Sequence, residues 1–133
     1  MILADASVWI DFFNGRESMA VDRLADLLED GAAPLEMADL TLFEVLRGFR
    51  HAADFHAARQ ALAALPVISI GGTENALAAA EHYRALRSQG VTIKSPIDVL
   101  LASFCIEHGY ALLHNDQDFD ALEAHRGLRV WRH

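Results

Sequence analysis

The chain has 133 residues, 53% of them hydrophobic, with one cysteine and three prolines. That length reads as a single domain over 1–133, large enough to bury a core without disulfide or metal staples. One cysteine excludes a disulfide framework and a Cys-rich zinc module, and eleven Lys+Arg against nineteen Asp+Glu, a formal net charge of −8, argue against a sequence-independent duplex binder.

Met1–Ile10 has no basic leader, and Asp5 and Asp11 interrupt the apolar residues of the first stretch of chain, so no secretory signal is expected. No uncharged apolar run approaches the roughly 18 residues that span a bilayer. The expected setting is cytoplasmic, away from membranes. Ten of the cations are arginines and one is Lys94. Arginine's planar fork suits bidentate recognition of phosphate or carboxylate.

In chain order, Met1–Ala4 is a compact apolar run, read as a buried strand ending at Asp5, and Asp5 is placed to cap a helix beginning at Ala6. Ser18–Asp30 sets Val21, Leu24, Ala25 and Leu28 on one helical stripe, with Gly31 as the stop. Leu35–Ala38 is a weak strand and Thr41–Phe49 a helix. Asp54–Leu65 has helical spacing and ends at Pro66. Val67–Ile70 reads as a strand before Gly71-Gly72, and Thr73–Ser88 as a helix stopped near Gly90. Ser95–His108 opens with Ser-Pro, suited to the cap and first helical position, and Gly109 closes it. Tyr110–Leu113 is a strand, an Asp-rich turn follows, and a last strand lies near Leu128–Trp131. Strands alternating with helices predict an α/β fold, a three-layer α/β/α sandwich around a central parallel sheet.

Ligands of open parallel sheets bind beyond the carboxyl ends of the strands. Asp5 and Asp116 fall at such positions, and Glu44 and Asp98 are placed in the first turns of their helices. Each acid also has a plain structural reading. Thr41-Leu42-Phe43-Glu44 matches a capping box, Ser95-Pro96-Ile97-Asp98 has the spacing of a weaker one, and Asp5, Asp116 or Asp118 could cap local turns. Taken together the acids say more. Carboxylates within about 4 Å repel by roughly 4 kcal/mol per pair at an effective dielectric near 20. A cluster must therefore protonate in part or hold hard cations. An oxygen-only donor set suits Mg²⁺ or Mn²⁺ rather than zinc, and such ions support phosphodiester hydrolysis.

Leu3-Ala4-Asp5-Ala6-Ser7-Val8-Trp9-Ile10, Glu44-Val45-Leu46-Arg47-Gly48, Pro96-Ile97-Asp98-Val99-Leu100-Leu101-Ala102 and His114-Asn115-Asp116-Gln117-Asp118-Phe119 resemble, in that order, the motifs of PIN-domain nucleases. The resemblance is closest to the VapC-type toxins of bacterial toxin–antitoxin pairs. It implies Mg²⁺- or Mn²⁺-dependent cleavage of RNA and an antitoxin that blocks the site, with Asp5, Glu44, Asp98 and Asp116 as the acidic metal-site residues. Asp118 stands at the second acid of the last motif. Ser7 matches a position where the family carries Ser or Thr, as a supporting hydroxyl. His114 departs from the pattern, which has Thr or Ser there.

Arg47 and Arg50, just past Glu44, are candidates for RNA phosphate or an antitoxin carboxylate; a solvated helix face would explain them equally. The stripes of Ser18–Asp30 and Asp54–Leu65 would serve an antitoxin, a twin subunit in a homodimer, or simply the core. Cys105 is expected in the core, and the seven histidines show no tight metal-ligand spacing. Other readings are a PIN-type nuclease of RNA processing, a non-catalytic interaction domain whose acids only cap helices, and an aspartyl-nucleophile phosphatase. The last is weakened because Asp5-Ala6-Ser7 lacks a second Asp two residues on.

Overall fold

The computed structural model describes residues 1–132. Its elements run β1 (Ile2–Ala4), α1 (Ala6–Phe13), α2 (Met19–Glu29), β2 (Met37–Ala38), α3 (Asp39–Leu46), α4 (Ala52–Leu62) and β3 (Val67–Ile68). They continue with α5 (Thr73–Ser88), α6 (Pro96–His108), β4 (Ala111–Leu113), a 3₁₀ turn (Gln117–Phe119), α7 (Asp120–Arg126) and β5 (Arg129–Val130).

Every strand pairing is parallel. β4 lies between β1 and β5, β2 pairs with β3, and a bridge from Ile2 to Leu35 joins the two groups. That bridge is a true backbone link, since the Ile2 amide donates to Pro34 and the Glu36 amide to Ile2, at 2.8 and 3.0 Å. The resulting spatial order is β3-β2-β1-β4-β5. The chain reverses its direction of winding between β1 and β4, and a crevice opens there beyond the strand ends.

Alternation along the strands divides the core into two layers. Leu3 and Leu112 face one way, onto Ala79 and Leu86 of α5, Leu101 and Cys105 of α6, and Leu122 of α7. Ile2, Ala4 and Leu113 face the other, onto Val8 and Trp9 of α1, Leu24 of α2, Val45 of α3 and Leu62 of α4. The expected α/β/α sandwich is the fold observed. Among the described residues, no helix is long and apolar enough to cross a membrane.

Local chemistry sets most boundaries. The Ser18 hydroxyl accepts from the Val21 amide at 3.1 Å, and Gly109 closes α6 in the left-handed conformation at φ 70°. Gly31 is not such a stop: α2 ends at Glu29, and the Asp30 carboxylate takes the Ala32 amide at 3.1 Å. The helix expected over Thr41–Phe49 starts earlier, at Asp39, and ends at Leu46. Asp39 Oδ1 accepts both the Leu40 amide and, from beyond β3, the Ile70 amide at 3.0 Å. That long-range bond fixes where α3 begins. The Asp-rich turn after β4 continues into α7, a helix the sequence reading lacked. Phe119 and Leu122 anchor it, both fully buried.

Candidate functional site

The parallel register sets Ala4 opposite Leu113, and the Asp5 amide donates to the Leu113 carbonyl at 3.0 Å. Asp5 and the His114–Asp116 turn therefore leave the sheet side by side at the β1–β4 crevice. Asp5 is only 3% exposed. Its carboxylate caps α1 by accepting the Val8 amide at 3.2 Å, and it also receives the Ser7 hydroxyl. Burial pushes its pKa up to about 6 against the pull of those two donors, with the charges of Asp116 and Glu44 adding to the rise.

Asp98 lies in the first turn of α6, half-buried. The Ser95 hydroxyl takes its amide at 3.4 Å, which supplies the cap, but the Asp98 carboxylate itself has no hydrogen-bond partner among the described residues. Burial raises it to about 7, followed by the charges of Asp5, Glu44, Asp116 and Asp118. Four acids from three distant parts of the chain thus act on this one side chain.

Glu44 sits in the second turn of α3, not the first. The capping box proposed for Thr41 and Glu44 is absent, because Ala38 occupies the cap position without a side-chain bond. The Thr41 hydroxyl is buried without a hydrogen-bond partner among the described residues. Released from capping, Glu44 is mostly buried, with its side chain 17% exposed, and lies 3.9 Å from the Arg47 guanidinium. Burial raises its pKa while Arg47 pulls it down.

Asp116 Oδ1 accepts the Asp118 amide at 2.9 Å and so caps the 3₁₀ turn. Asp118 is exposed and contributes least among the charges acting on Asp98, a peripheral member of the group. His114, where the motif resemblance leads one to expect Thr or Ser, makes a bond of its own to the turn. Its Nδ1 accepts the Asp116 amide at 3.2 Å, and its ring lies 4.7 Å from that of Phe119. Burial lowers its pKa, in keeping with a neutral ring that accepts at Nδ1. The departure is visible in the sequence, whereas the bond that His114 makes appears only in the folded turn.

Arg47 caps the end of α3 and packs over the Phe43 ring at 5.5 Å. Arg50 lies beyond the helix, exposed, so the two arginines do not share a helical face as expected. Cys105 is buried in the core as predicted, with its thiol pushed up to about 12, and is chemically inert.

The carboxylates offer oxygen donors alone, two of them pushed toward neutrality by burial and mutual repulsion. That donor chemistry fits a hard divalent cation. Among the described residues, no three Asp, Glu, His or Cys side chains are already drawn around one point tightly enough to hold an ion.

The sequence model of the PIN domain family matches residues 2–124. The chain is 33% identical over 122 residues to a VapC ribonuclease of Mycobacterium bovis and to ribonuclease VapC11 of Mycobacterium tuberculosis, across 92% of this chain and 91% of each relative. Its shape is similar to that of a chain in a DNA-bound VapBC complex from Salmonella typhimurium, with TM-score 0.77, 17% identity and coverage of 98% and 96%. A chain of VapBC2 from Rickettsia felis, bound to a promoter fragment, gives TM-score 0.76 at 17% identity, covering 98% of each chain. At these identities the structural likeness speaks to the fold.

Proposed function

The chain belongs to the PIN domain family, and on that premise we propose that it is a Mg²⁺-dependent endoribonuclease, with Mn²⁺ as a substitute, acting as the toxin of a toxin–antitoxin pair. The relatives named as VapC ribonucleases support the ribonuclease reading. The VapBC complexes among the structural neighbours support a protein antitoxin as partner. A homodimer is part of the same reading, and the exposed Ile10, Phe43 and Leu77 are apolar surface available for such contacts.

The observation that carries the chemistry is Asp98. A half-buried carboxylate with no hydrogen-bond partner among the described residues, surrounded by other acids and raised to about 7, makes no capping bond of its own. A carboxylate kept only for capping would resemble Asp116, bonded to an amide.

In this reading Asp5, Glu44, Asp98 and Asp116 hold the ion, with Asp118 at the margin. When bound, the ion supplies charge neutralisation and Lewis acidity for in-line attack of water on a phosphodiester. Ser7 and the Val8 amide keep the Asp5 carboxylate in one orientation. Asp98, at the amino end of α6, lies where the helix dipole favours negative charge. The water oxygen bonds to phosphorus, the bond from phosphorus to the leaving ribose oxygen breaks, and a proton passes to that oxygen.

Purified protein with Mg²⁺ is expected to cut single-stranded RNA, and excess chelator to stop it. Cutting that persists in chelator overturns the metal-dependent reading. Expression alone is expected to arrest growth, relieved by a small protein encoded beside the gene. Harmless expression of an active enzyme would favour RNA processing.

A further inference from the structure

Between α5 and the amino end of α6 lies a groove of about 510 Å³. Its floor is apolar, from alanines of α5 and Val99 and Leu100 of α6, and its edge carries Arg84, Arg87 and Lys94. All three cations are exposed, and none enters an ion pair among the described residues. The lining thus takes three of the chain's eleven cations and none of its nineteen acids. Arg16, Arg47 and Arg132, by contrast, are each paired with an acid. Tyr83 also lines the groove, with the Arg87 guanidinium 5.5 Å from its ring centre. At one end the groove reaches Pro96, the first residue of α6, and Asp98 stands in that same turn.

We propose that this groove holds single-stranded RNA and leads it to the acidic crevice. The proposal rests on the nuclease reading above and adds a substrate-binding surface to it. A chain of net charge −8 repels a polyanion over most of its surface, so approach needs a local reversal of sign. The edge of this groove provides one, and the groove reaches Pro96 in the turn of α6 that carries Asp98. Its apolar floor and the Tyr83–Arg87 pair offer faces to ribose and base, as single-strand grooves do, without reading sequence. An acidic segment of a partner protein is the competing occupant. The reach of the groove to the first turn of α6, which carries Asp98, favours RNA.

The test is fluorescence anisotropy of a short labelled single-stranded RNA with the intact protein in buffer without divalent ions, so that binding is read without cleavage. The double variant Arg84→Glu, Arg87→Glu is expected to weaken binding at least tenfold. It should also flatten the dependence of log Kd on log salt by about 1.4, two phosphate contacts at about 0.7 each. Arg84→Gln with Arg87→Gln should give a smaller loss with the same change of slope, and both variants should keep the wild-type melting temperature. Unchanged affinity and slope overturn the groove whether or not the wild type cleaves RNA. So does a wild type that binds no RNA, or a double variant that loses a co-expressed antitoxin while keeping RNA. Failure of the nuclease reading shows separately, as a wild type that binds through these arginines yet does not cut with Mg²⁺.

Discussion

The Ser7 hydroxyl donates to the Asp5 carboxylate, lying 2.9 Å from one oxygen and 3.0 Å from the other. A hydroxyl has one proton, so this is a single bond shared between two acceptors. It opposes the burial that pushes Asp5 up to about 6. A hydrogen bond to a charged group contributes about 1.5–3 kcal/mol, and one pKa unit is about 1.4 kcal/mol. Ser7→Ala is therefore expected to move the acidic limb of the profile of log kcat/KM against pH upward by about one unit. Ser7→Thr should restore it. A limb that stays in place would leave Ser7 no role in holding the charge.

Asp98 gives a stability prediction whose sign separates the capping and metal-site accounts. Its folded pKa, about 7, lies above the ordinary aspartate value of 3.8, so the folded chain binds this proton more tightly than the unfolded chain. The associated stability is present in full below about pH 4 and is lost as pH rises through 7. Metal-free protein is thus expected to melt lower at pH 8 than at pH 5.5. Asp98→Asn, neutral throughout, should raise the melting temperature at pH 8 while abolishing cleavage. Because the group is partly exposed, solvent screening leaves on the order of 1 kcal/mol, roughly 4 °C for a domain of this size. A variant that melts lower yet still cuts RNA would restore Asp98 to a structural role.

The same charges set the response to cation. Binding to the folded state alone adds about 2.7 kcal/mol at a hundred times Kd. Mg²⁺ is expected to raise the melting temperature at pH 8 and to do so less at pH 5.5, where protons on Asp5 and Asp98 compete with it. Calorimetric scans of the wild type and Asp98→Asn at both pH values measure the difference. An equal rise in both proteins would place the ion elsewhere.

These acids were legible for unequal reasons. Asp5 and Asp116 follow short apolar strands, and a parallel sheet sends the residues after its strands to one edge, so two members could be placed from pattern alone. Asp98 was located by the Ser-Pro helix start, which holds to the residue. For Glu44 the sequence pattern gives the helix but not the turn. Thr41 looks like a cap in sequence, whereas Asp39 sets the start through a bond to Ile70 that no local window contains. The helix after the Asp-rich turn escaped because seven residues show too little periodicity, and its anchors matter only once the core closes over Phe119 and Leu122.

His114 joins the β4 end to the last acidic turn. As an acceptor at Nδ1 it holds the Asp116 amide only while neutral, and burial keeps its pKa below the ordinary histidine value. His114→Ala is expected to lower kcat about tenfold, since a displaced carboxylate costs on the order of 1.4 kcal/mol at the transition state. His114→Thr, which returns a short acceptor to the same place, should recover most of it. Equal activity in all three proteins would mean that the turn holds itself.

Asn75 supplies the structural contrast. Its amide donates to the Ile70 carbonyl at 2.8 Å and to the Leu100 carbonyl at 2.9 Å, while its oxygen accepts the Ser103 hydroxyl at 2.9 Å. Both amide protons and the oxygen are thereby engaged, and the side chain clamps α5 to α6 just behind the turn that carries Asp98. Asn75→Ala leaves buried groups without these partners, at an expected cost of about 2–4 kcal/mol in urea unfolding. Cleavage per folded molecule at low temperature should remain within about twofold of wild type, because the Asn75 side chain bonds Ile70, Leu100 and Ser103 and none of the acids. A large fall in kcat with little loss of stability would instead mean that α5 sets the position of Asp98 through this amide, and Asn75 would then belong among the positioning residues.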